Sequence, residues 1–333
     1  MNLIIPLAGF GTRLRPHTYT KPKPLINVAG KPVLGHILDR LMADGTQIDT
    51  VVFVVGFLGD QIHDYVSRNY PGLRARYVEQ KELNGQAPAI LLARDLVAGP
   101  TFVVFVDTLA HVDLSSLRDE QADGVIFVKE VEDPRRFGVV QLNADGHITR
   151  FVEKPANMDN RLAVIGMYYF RDAARLMRAC EDLLARDIKT QGEYFLADAL
   201  NLMIETGARL RTSRVDVWLD CGKPDTLLET NRYLLEHGHD NSGAWNDCDC
   251  VIVPPVHIHP SATIVRSVIG PYATIAEGCQ IEDSIVRDSI VDAGARVTDH
   301  ILARSLIGRD ALLIGRPRRF NVGDSSVVGF DFE

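Results

Sequence analysis

The sequence predicts two domains, an α/β domain with a mostly parallel sheet followed by a parallel β-helix. In the first part of the chain, short apolar or β-branched runs alternate with amphipathic stretches, which is typical of β–α–β units with helices on both faces of a sheet. Beyond residue 250, aliphatic residues recur every five or six positions, which indicates hexapeptide repeats. The length of 333 residues agrees with two domains, because single cores stop growing near roughly 250–300 residues.

The alternating region predicts the following elements in chain order. The first strands are Leu3–Leu7, Thr50–Val55, Arg74–Val78 and Phe102–Val106, and the helices between them are Val33–Ala43, Leu58–Ser67 and Ala89–Leu96. From Gly124 the pattern becomes richer in strands, and we expect antiparallel additions at Val125–Val131, Val139–Leu142, Ile148–Glu153 and Leu162–Phe170. Helices are predicted at Ala173–Ala185, Phe195–Glu205 and Pro224–His237.

The C-terminal repeat predicts which side chains point into the β-helix. These recurring aliphatic residues are Ile258, Ile264, Ile269, Ile275, Ile281, Val286, Val291, Val297, Leu302, Ile307 and Leu313. With three sides and roughly 16–17 residues per coil, they predict three to four coils. We therefore expect one domain over residues 1–238, a polar linker over 239–250, and a β-helix with a C-terminal tail over 251–333.

The bulk composition narrows the classes of function. A net charge of −8 argues against broad nucleic-acid binding, which needs a basic face. The N-terminus has no basic segment followed by a long apolar run, so we expect neither a signal peptide nor a membrane anchor. Five cysteines without a paired framework favour a reducing, cytoplasmic location.

Glycines and cations follow the first predicted strand. Gly9 and Gly11 lie at its carboxyl end, where glycine lets backbone N–H groups approach phosphate oxygens. Arg13 is in the same loop, and Lys23 is flanked by prolines that restrict its backbone. The spacing matches neither the dinucleotide-binding glycine pattern nor a Walker A loop, so the segment predicts a different kind of phosphate site.

The complete segment resembles the N-terminal signature of the sugar-1-phosphate nucleotidyltransferases, Gly-Gly-x-Gly-Thr-Arg-Leu-x-Pro followed by Pro-Lys-Pro-Leu. The match covers Gly9–Pro16 and Pro22–Leu25 and departs at Ala8. The resemblance extends to about residue 235, and many relatives also carry a C-terminal hexapeptide β-helix. It implies a Rossmann-like mixed sheet, a short left-handed parallel β-helix, and transfer of a nucleotidyl group from an NTP to a sugar-1-phosphate with release of pyrophosphate.

The resemblance also implies roles for individual residues. Those implied to bind the nucleotide are Ala8, Gly9, Gly11, Thr12, Arg13, Gln80 and Gly85. Those implied to bind the sugar phosphate are Gly138, Glu153, Lys154, Gly166 and Tyr168, and Glu193-Tyr194 matches a further sugar-side segment. The residues implied to act in catalysis are Arg13, Lys23, Asp107 and Asp220, the two aspartates as ligands of Mg²⁺.

The base and the sugar are predicted less sharply. The amide of Gln80 offers a donor and an acceptor, which suit the imide edge of uracil or thymine, so we expect UTP or dTTP. Glu79, its neighbour, is the alternative reader of the base. Glucose-1-phosphate is the favoured acceptor, but sugars that differ by one hydroxyl cannot be told apart from sequence.

Three alternatives stay open at this stage. The chain could be a mannose-1-phosphate guanylyltransferase, or a regulatory subunit that keeps the fold without the activity. The β-helix could add an acyltransferase activity, although a structural or oligomer-forming role is favoured for it. We therefore expect a homo-oligomer that binds an NTP and a sugar-1-phosphate, with no nucleic-acid or membrane partner.

Overall fold

The computed structural model describes residues 1–43, 47–245 and 249–316. The chain divides into two compact units, the first of which is Met1–Leu234, while the second begins at Leu235. Residues 246–248 of the predicted linker and residues 317–333 of the predicted C-terminal domain lie outside the described residues. No helix in the described part of the chain combines the length and apolar character that a membrane-spanning segment requires.

The first unit is built on one nine-stranded mixed sheet. Its strands are β1 Asn2–Pro6, β2 Thr50–Val55, β3 Ala75–Glu79, β4 Thr101–Val104, β5 Gly124–Glu130, β6 Gly138–Leu142, β7 Ile148–Glu153, β8 Leu162–Phe170 and β9 Leu210–Arg214. They follow the order β7-β6-β8-β4-β1-β2-β3, with β5 paired to β8 and β9 paired to β5. Strands β1 to β4 pair in parallel, and β8 is antiparallel to β4, β5 and β6. The predicted mixed sheet is confirmed.

The helices lie between and after these strands. They are α1 Val33–Ala43, α2 Gly59–Asn69, α3 Gln86–Leu91, α4 Ala173–Ala185, α5 Leu196–Glu205 and α6 Pro224–Leu234. The helix predicted over Ala89–Leu96 differs in the structure: α3 begins earlier, at Gln86, and ends at Leu91. A separate 3-10 turn covers Arg94–Leu96. Helices α3, α4 and α5 bury apolar residues in the same core as the central strands, which packs one face of the sheet.

The end of β4 departs from the predicted strand Phe102–Val106. The N–H of Phe105 makes the last cross-strand bond, to the carbonyl of Gly166 at 2.9 Å, and the strand ends at Val104 because the chain then turns, with the N–H of Thr108 bonding back to the carbonyl of Phe105 at 3.3 Å. Asp107 therefore lies in a turn and not at the end of a strand. The turn leads into a two-stranded antiparallel ribbon formed by Thr108–Ala110 and Trp218–Asp220.

The second unit is a triangular stack of short parallel strands. Its three four-stranded sheets are Cys250–Ile252, Ser267–Ile269, Ile285–Arg287 and Ile301–Ala303; Val256–Ile258, Ala273–Ile275, Ile290–Val291 and Leu306–Ile307; and Thr263–Val265, Gln280–Glu282, Arg296–Thr298 and Leu312–Ile314. All the inward residues predicted from the repeat belong to its hydrophobic core. This confirms the predicted parallel β-helix and fits its left-handed form.

The segment before the first coil is tied to that coil. Residues Leu235–His239 form an irregular turn in which His237 and Gly238 leave the helical conformation, and Ser242–Trp245 form a 3-10 turn. The side-chain amide of Asn241 donates to the carbonyl of Ile258 at 2.8 Å and accepts the N–H of Ile258 at 2.9 Å. This part of the predicted linker therefore extends the hydrogen bonding of the coil.

We expect Ile275→Ala to lower the free energy of unfolding of the second unit by about 2–5 kcal/mol, the usual cost of an isoleucine truncated in a close-packed core. Ile275 is 0% exposed, whereas Leu312 in the same β-helix is 64% exposed. Leu312→Ala is the control and should change stability by no more than about 0.5 kcal/mol. Urea unfolding followed by the fluorescence of Trp245, which packs on this core, in a Trp218→Phe background measures both. Equal losses would contradict the inward and outward assignment.

Candidate active site

Two cavities of the first unit meet at the carboxyl ends of its parallel strands. The first has a volume of about 390 Å³ and the second about 250 Å³. Arg13, Gln86, Phe105 and Asp107 line both of them. Such a position is the usual ligand site of an open α/β sheet. A ligand in one cavity therefore lies next to a ligand in the other.

The glycine loop after β1 forms one wall of the first cavity. Ala8, Gly9, Gly11, Thr12 and Arg13, all predicted to bind the nucleotide, line it. Gly11 has a φ of +62°, and a Cβ there would lie 2.9 Å from the Cβ of Lys23. Glycine at this position therefore permits both the left-handed backbone and the close approach of Lys23.

Two cations hold the carboxylate of Asp107. Lys23 Nζ lies 2.8 Å from Asp107 Oδ2, and Arg13 Nη2 lies 3.6 Å from the same oxygen. The side chain of Lys23 is 14% exposed and that of Asp107 is 34% exposed. Burial by itself would raise the pKa of Asp107, but Lys23 and Arg13 outweigh it and hold the pKa below its usual value. The carboxylate is therefore ionised at neutral pH.

The ribbon brings Asp220 to the same place. In the register of the ribbon, Asp220 lies opposite Thr108, which is the residue after Asp107. The N–H of Cys221 donates to the carbonyl of Asp107 at 2.9 Å, and the N–H of Gly222 donates to Asp220 Oδ1 at 2.7 Å. Asp220 lines the second cavity, as Asp107 does. Two carboxylates that are far apart in sequence therefore lie on the wall of the second cavity, that of Asp107 at its junction with the first.

This pair of carboxylates suits a magnesium ion. Among the described residues, no cluster of three or more His, Cys, Asp or Glu side chains could hold a metal ion. Magnesium does not need such a cluster, since it keeps several waters and binds through one or two carboxylates together with substrate phosphates. The oxygen donors of Asp107 and Asp220 fit that mode of binding.

Gln80 follows β3 and lines the first cavity, with 8% of the residue exposed. Its backbone N–H donates to Val55 at 2.8 Å, and its Nε2 donates to the carbonyl of Gly85 at 3.2 Å. An amide has two N–H donors and one carbonyl, so one donor and one acceptor remain to meet a base. Glu79 is exposed and lines neither cavity. The arrangement therefore favours Gln80 over its neighbour as the reader of the base.

Gly85 brings a second chain segment close to the first cavity. It has a φ of +126°, and a Cβ there would lie 2.4 Å from the carbonyl oxygen of Tyr194. The two residues form a parallel bridge. This contact places Glu193 on the first cavity, although the sequence pattern had assigned Glu193-Tyr194 to the sugar side.

The second cavity collects the other predicted sugar-side residues. Gly138, Glu153, Gly166 and Tyr168 all line it. Gly138 and Glu153 are register partners of β6 and β7, and a Cβ at Gly138 would lie 2.9 Å from Glu153 Oε2. Burial raises the pKa of Glu153, and the nearby Asp198 raises it further. Burial also raises the pKa of Tyr168, which keeps its hydroxyl protonated as a donor.

Lys154 lines neither cavity, and the same holds for Tyr194 of the Glu193-Tyr194 segment. Lys154 Nζ lies 3.3 Å from the side-chain oxygen of Gln191 and 5.8 Å from the ring centre of Phe195. The backbone of Lys154 has a φ of +45°, and these contacts direct its exposed side chain elsewhere. Its binding to the sugar phosphate stays a prediction.

Several cavity residues were not predicted from the sequence. They include Gln86, Phe105, Arg136, Phe137 and Trp218. Each lies one or two residues from a predicted site residue, and that proximity was the available signal. The rings of Phe137 and Trp218 pack edge to face at 5.0 Å. Trp218 Nε1 is buried without a hydrogen-bond partner in the described part of the chain, so it can donate to a ligand.

Known proteins resemble this chain over the whole site. The family model for nucleotidyl transferase matches residues 3–237. A glucose-1-phosphate thymidylyltransferase of Streptomyces griseus is 30% identical over 356 residues, which cover 98% of both chains. The UTP–glucose-1-phosphate uridylyltransferase AglF of Haloferax volcanii is 32% identical over 243 residues, covering 71% of this chain and 97% of that protein.

A solved structure has a similar fold. It is a UDP-glucose pyrophosphorylase complexed with UDP-glucose, which matches with a TM-score of 0.62 at 23% identity. The match covers 71% of this chain and 98% of that one. Since the family model spans more than half of the sequence and includes every residue of the two cavities, the chain belongs to the nucleotidyl transferase family.

Proposed function

We propose that the protein transfers a nucleotidyl group from UTP or dTTP to a sugar-1-phosphate, with glucose-1-phosphate favoured, and releases pyrophosphate. The observation that carries this proposal is the junction of two cavities at Arg13 and Asp107. The first cavity has a glycine loop for phosphates, and the second has Glu153 and Tyr168 for hydroxyl groups. The names of the thymidylyl- and uridylyltransferase relatives support the pyrimidine base and the glucose-1-phosphate.

The chemistry is an in-line displacement at the α-phosphorus of the nucleotide. An oxygen of the sugar phosphate forms the new O–P bond, while the bond to the β-phosphate breaks and pyrophosphate leaves. The attacking phosphate has a second pKa of about 6, so it is already ionised near neutral pH and needs no general base. Catalysis of this kind depends on positioning and on electrostatic stabilisation.

The charged residues at the junction have separate tasks in this proposal. Arg13 lines both cavities and faces the phosphates of both substrates, whose mutual repulsion it offsets. Lys23 is anchored on Asp107 and presents a point charge to the nucleotide phosphates. Asp107 and Asp220 would hold a magnesium ion, which supplies neutralisation of phosphate charge when bound. A regulatory subunit without activity would not need all four groups.

The proposed location is the cytoplasm. Cys180, Cys221 and Cys279 are buried free thiols, whereas Cys250 is disulfide-bonded. Cysteines that stay unpaired are usual in reducing compartments. Burial raises the pKa of Cys180 and Cys221 to about 12, so neither is a thiolate at neutral pH.

We also propose that the β-helix assembles the chain into a homo-oligomer. Val251, Val268, Ile285 and Ile301 are register partners on the outward side of one coil sheet. Val251 is 57% exposed and Ile301 72% exposed. The outward positions of another coil sheet carry Thr263, Gln280, Arg296 and Leu312, of which only Leu312 is aliphatic. A continuous exposed aliphatic row of this kind is typical of a surface that packs against another chain.

The proposed reaction is tested by pyrophosphate release from five NTPs, each combined with glucose-, galactose-, mannose- and N-acetylglucosamine-1-phosphate. We expect UTP or dTTP with glucose-1-phosphate to give the highest kcat/KM, because Gln80 presents a donor and an acceptor to the imide edge. A preference for GTP with mannose-1-phosphate would replace the proposal by guanylyl transfer. No release with any pair would overturn it.

Gln80→Glu should lower kcat/KM for UTP and dTTP by more than tenfold, because a carboxylate offers no donor to O4 and leaves a buried polar group unpaired. The same change should reduce the difference in kcat/KM between UTP or dTTP and GTP, because the adjacent N–H donors of guanine suit a carboxylate. Glu79→Gln, at the exposed neighbouring position, is the matched control. It should change kcat/KM for UTP, dTTP and GTP by no more than twofold. Equal effects of the two changes would remove Gln80 from base recognition.

The oligomer is tested by light scattering after size-exclusion chromatography. Charges introduced by Ile285→Glu with Ile301→Glu should convert the wild-type oligomer to monomer, because they would be buried unpaired in the contact. Thr263→Glu with Gln280→Glu places the same number of charges on a polar outward row and should leave the mass unchanged. A monomeric wild type, or an oligomer that survives the first pair of changes, would contradict the proposed surface.

A further inference from the structure

We propose that Arg136 binds an anionic group of the sugar-side substrate. The proposal rests on the function proposed above, which makes the second cavity the site of a sugar phosphate. Arg136 ends a 3-10 turn, Pro134–Arg136, that leads into β6. Two residues later, Gly138 lies opposite Glu153 on the wall of the same cavity. The turn therefore carries a guanidinium to a cavity that the neighbouring strands line with polar groups.

Two adjacent arginines in this turn have different surroundings. Arg135 forms a bidentate pair with Asp133, with Nε 2.8 Å from Oδ1 and Nη2 2.8 Å from Oδ2. The backbone N–H of Arg135 also donates to Asp133, which caps the turn. Arg135 lines neither cavity, whereas Arg136 lines the second. Within the described part of the chain, the side chain of Arg136 forms no hydrogen bond or ion pair, although its charge helps to lower the pKa of Asp133, so its five N–H donors remain for a ligand.

The charges around the second cavity show why such a donor is needed there. Its lining includes three carboxylates, those of Asp107, Glu153 and Asp220, and two cations, Arg13 and Arg136. A sugar phosphate adds close to two negative charges near neutral pH. Arg13 and the Lys23 that is held on Asp107 do not by themselves balance these carboxylates and the phosphate, and Arg136 adds a positive charge on the sugar side.

The other cations of the site do not fill this role in the structure. Lys23 lies on Asp107 and does not line the second cavity. Lys154 lines neither cavity and contacts Gln191. Arg13 lies at the junction, 3.6 Å from Asp107, where the nucleotide phosphates also approach. Arg136 is thus the cation that belongs to the sugar side alone.

The guanidinium matches two kinds of anion on such a substrate. Its planar fork binds a phosphate or a carboxylate through two parallel N–H···O bonds. The phosphate is present on every sugar-1-phosphate, whereas a carboxylate is present only on a uronic acid. The guanidinium would bind either anion in the same way. Two sugar phosphates that differ only in the presence of the carboxylate therefore distinguish the phosphate from the carboxylate as its partner.

The test measures binding without turnover. Trp218 lines the second cavity, so its fluorescence in a Trp245→Phe background reports occupancy of that cavity. The full-length protein, with magnesium and without NTP, is titrated with glucose-1-phosphate and with glucuronic acid 1-phosphate. Arg136→Ala is compared with Arg135→Ala, which removes the same charge one residue away, and with Arg136→Lys, which keeps the charge but loses the fork.

We expect Arg136→Ala to weaken binding about tenfold, Arg136→Lys to recover part of the loss, and Arg135→Ala to stay within twofold of wild type. If Arg136→Ala weakens binding of both ligands, Arg136 binds the phosphate. If it weakens binding of glucuronic acid 1-phosphate alone, Arg136 binds the carboxylate. Equal effects of Arg136→Ala and Arg135→Ala, or no binding by wild type, would overturn the proposal. Binding without pyrophosphate release from any NTP would instead reject the proposed function and leave this comparison valid.

Discussion

A short antiparallel ribbon holds Asp107 beside Asp220, and the rest of the site depends on this contact. Like charges that lie close together destabilise a fold unless cations lie nearby. Lys23 and Arg13 provide them, both directed at Asp107 Oδ2. The same groups that make the pair tolerable in the free protein are then positioned to meet phosphates. The arrangement of these four side chains that stabilises the fold is therefore also the arrangement that the proposed chemistry requires.

The backbone geometry around this contact is as constrained as its charges. A Cβ at Gly222 would lie 2.8 Å from Asp220 Oδ1 and 3.1 Å from Arg13 Nη2. Gly166, with a φ of +83°, lies where the pairing of β8 with β5 shifts register, and its carbonyl accepts the last cross-strand bond of β4, from the N–H of Phe105. The irregularity in β8 thus determines where the turn that carries Asp107 begins. Glycine at positions 166 and 222 leaves room for Arg13, Asp107 and Asp220, which are far apart in sequence, to lie close together.

The sequence predicted those features that depend on local periodicity or on a long motif. The inward residues of the β-helix follow a repeat that each coil reproduces, and the glycine loop is contiguous, so both could be predicted. The end of β4 was misplaced because it depends on Gly166, which comes from another strand. The direction of Lys154 depends in the same way on Gln191 and Phe195. Arg136 was missed because nothing in the sequence distinguishes it from Arg135; only the pairing of Arg135 with Asp133 in the structure does.

The shared metal position of Asp107 and Asp220 is the central claim, and anomalous diffraction from crystals grown with Mn²⁺ and UTP tests it most directly. Manganese accepts the same oxygen ligands as magnesium and gives an anomalous signal that identifies its position. The account predicts one ion bonded to carboxylate oxygens of both aspartates and to a phosphate oxygen of the nucleotide, at the junction of the two cavities. An ion bonded to only one aspartate, or to neither, would contradict it.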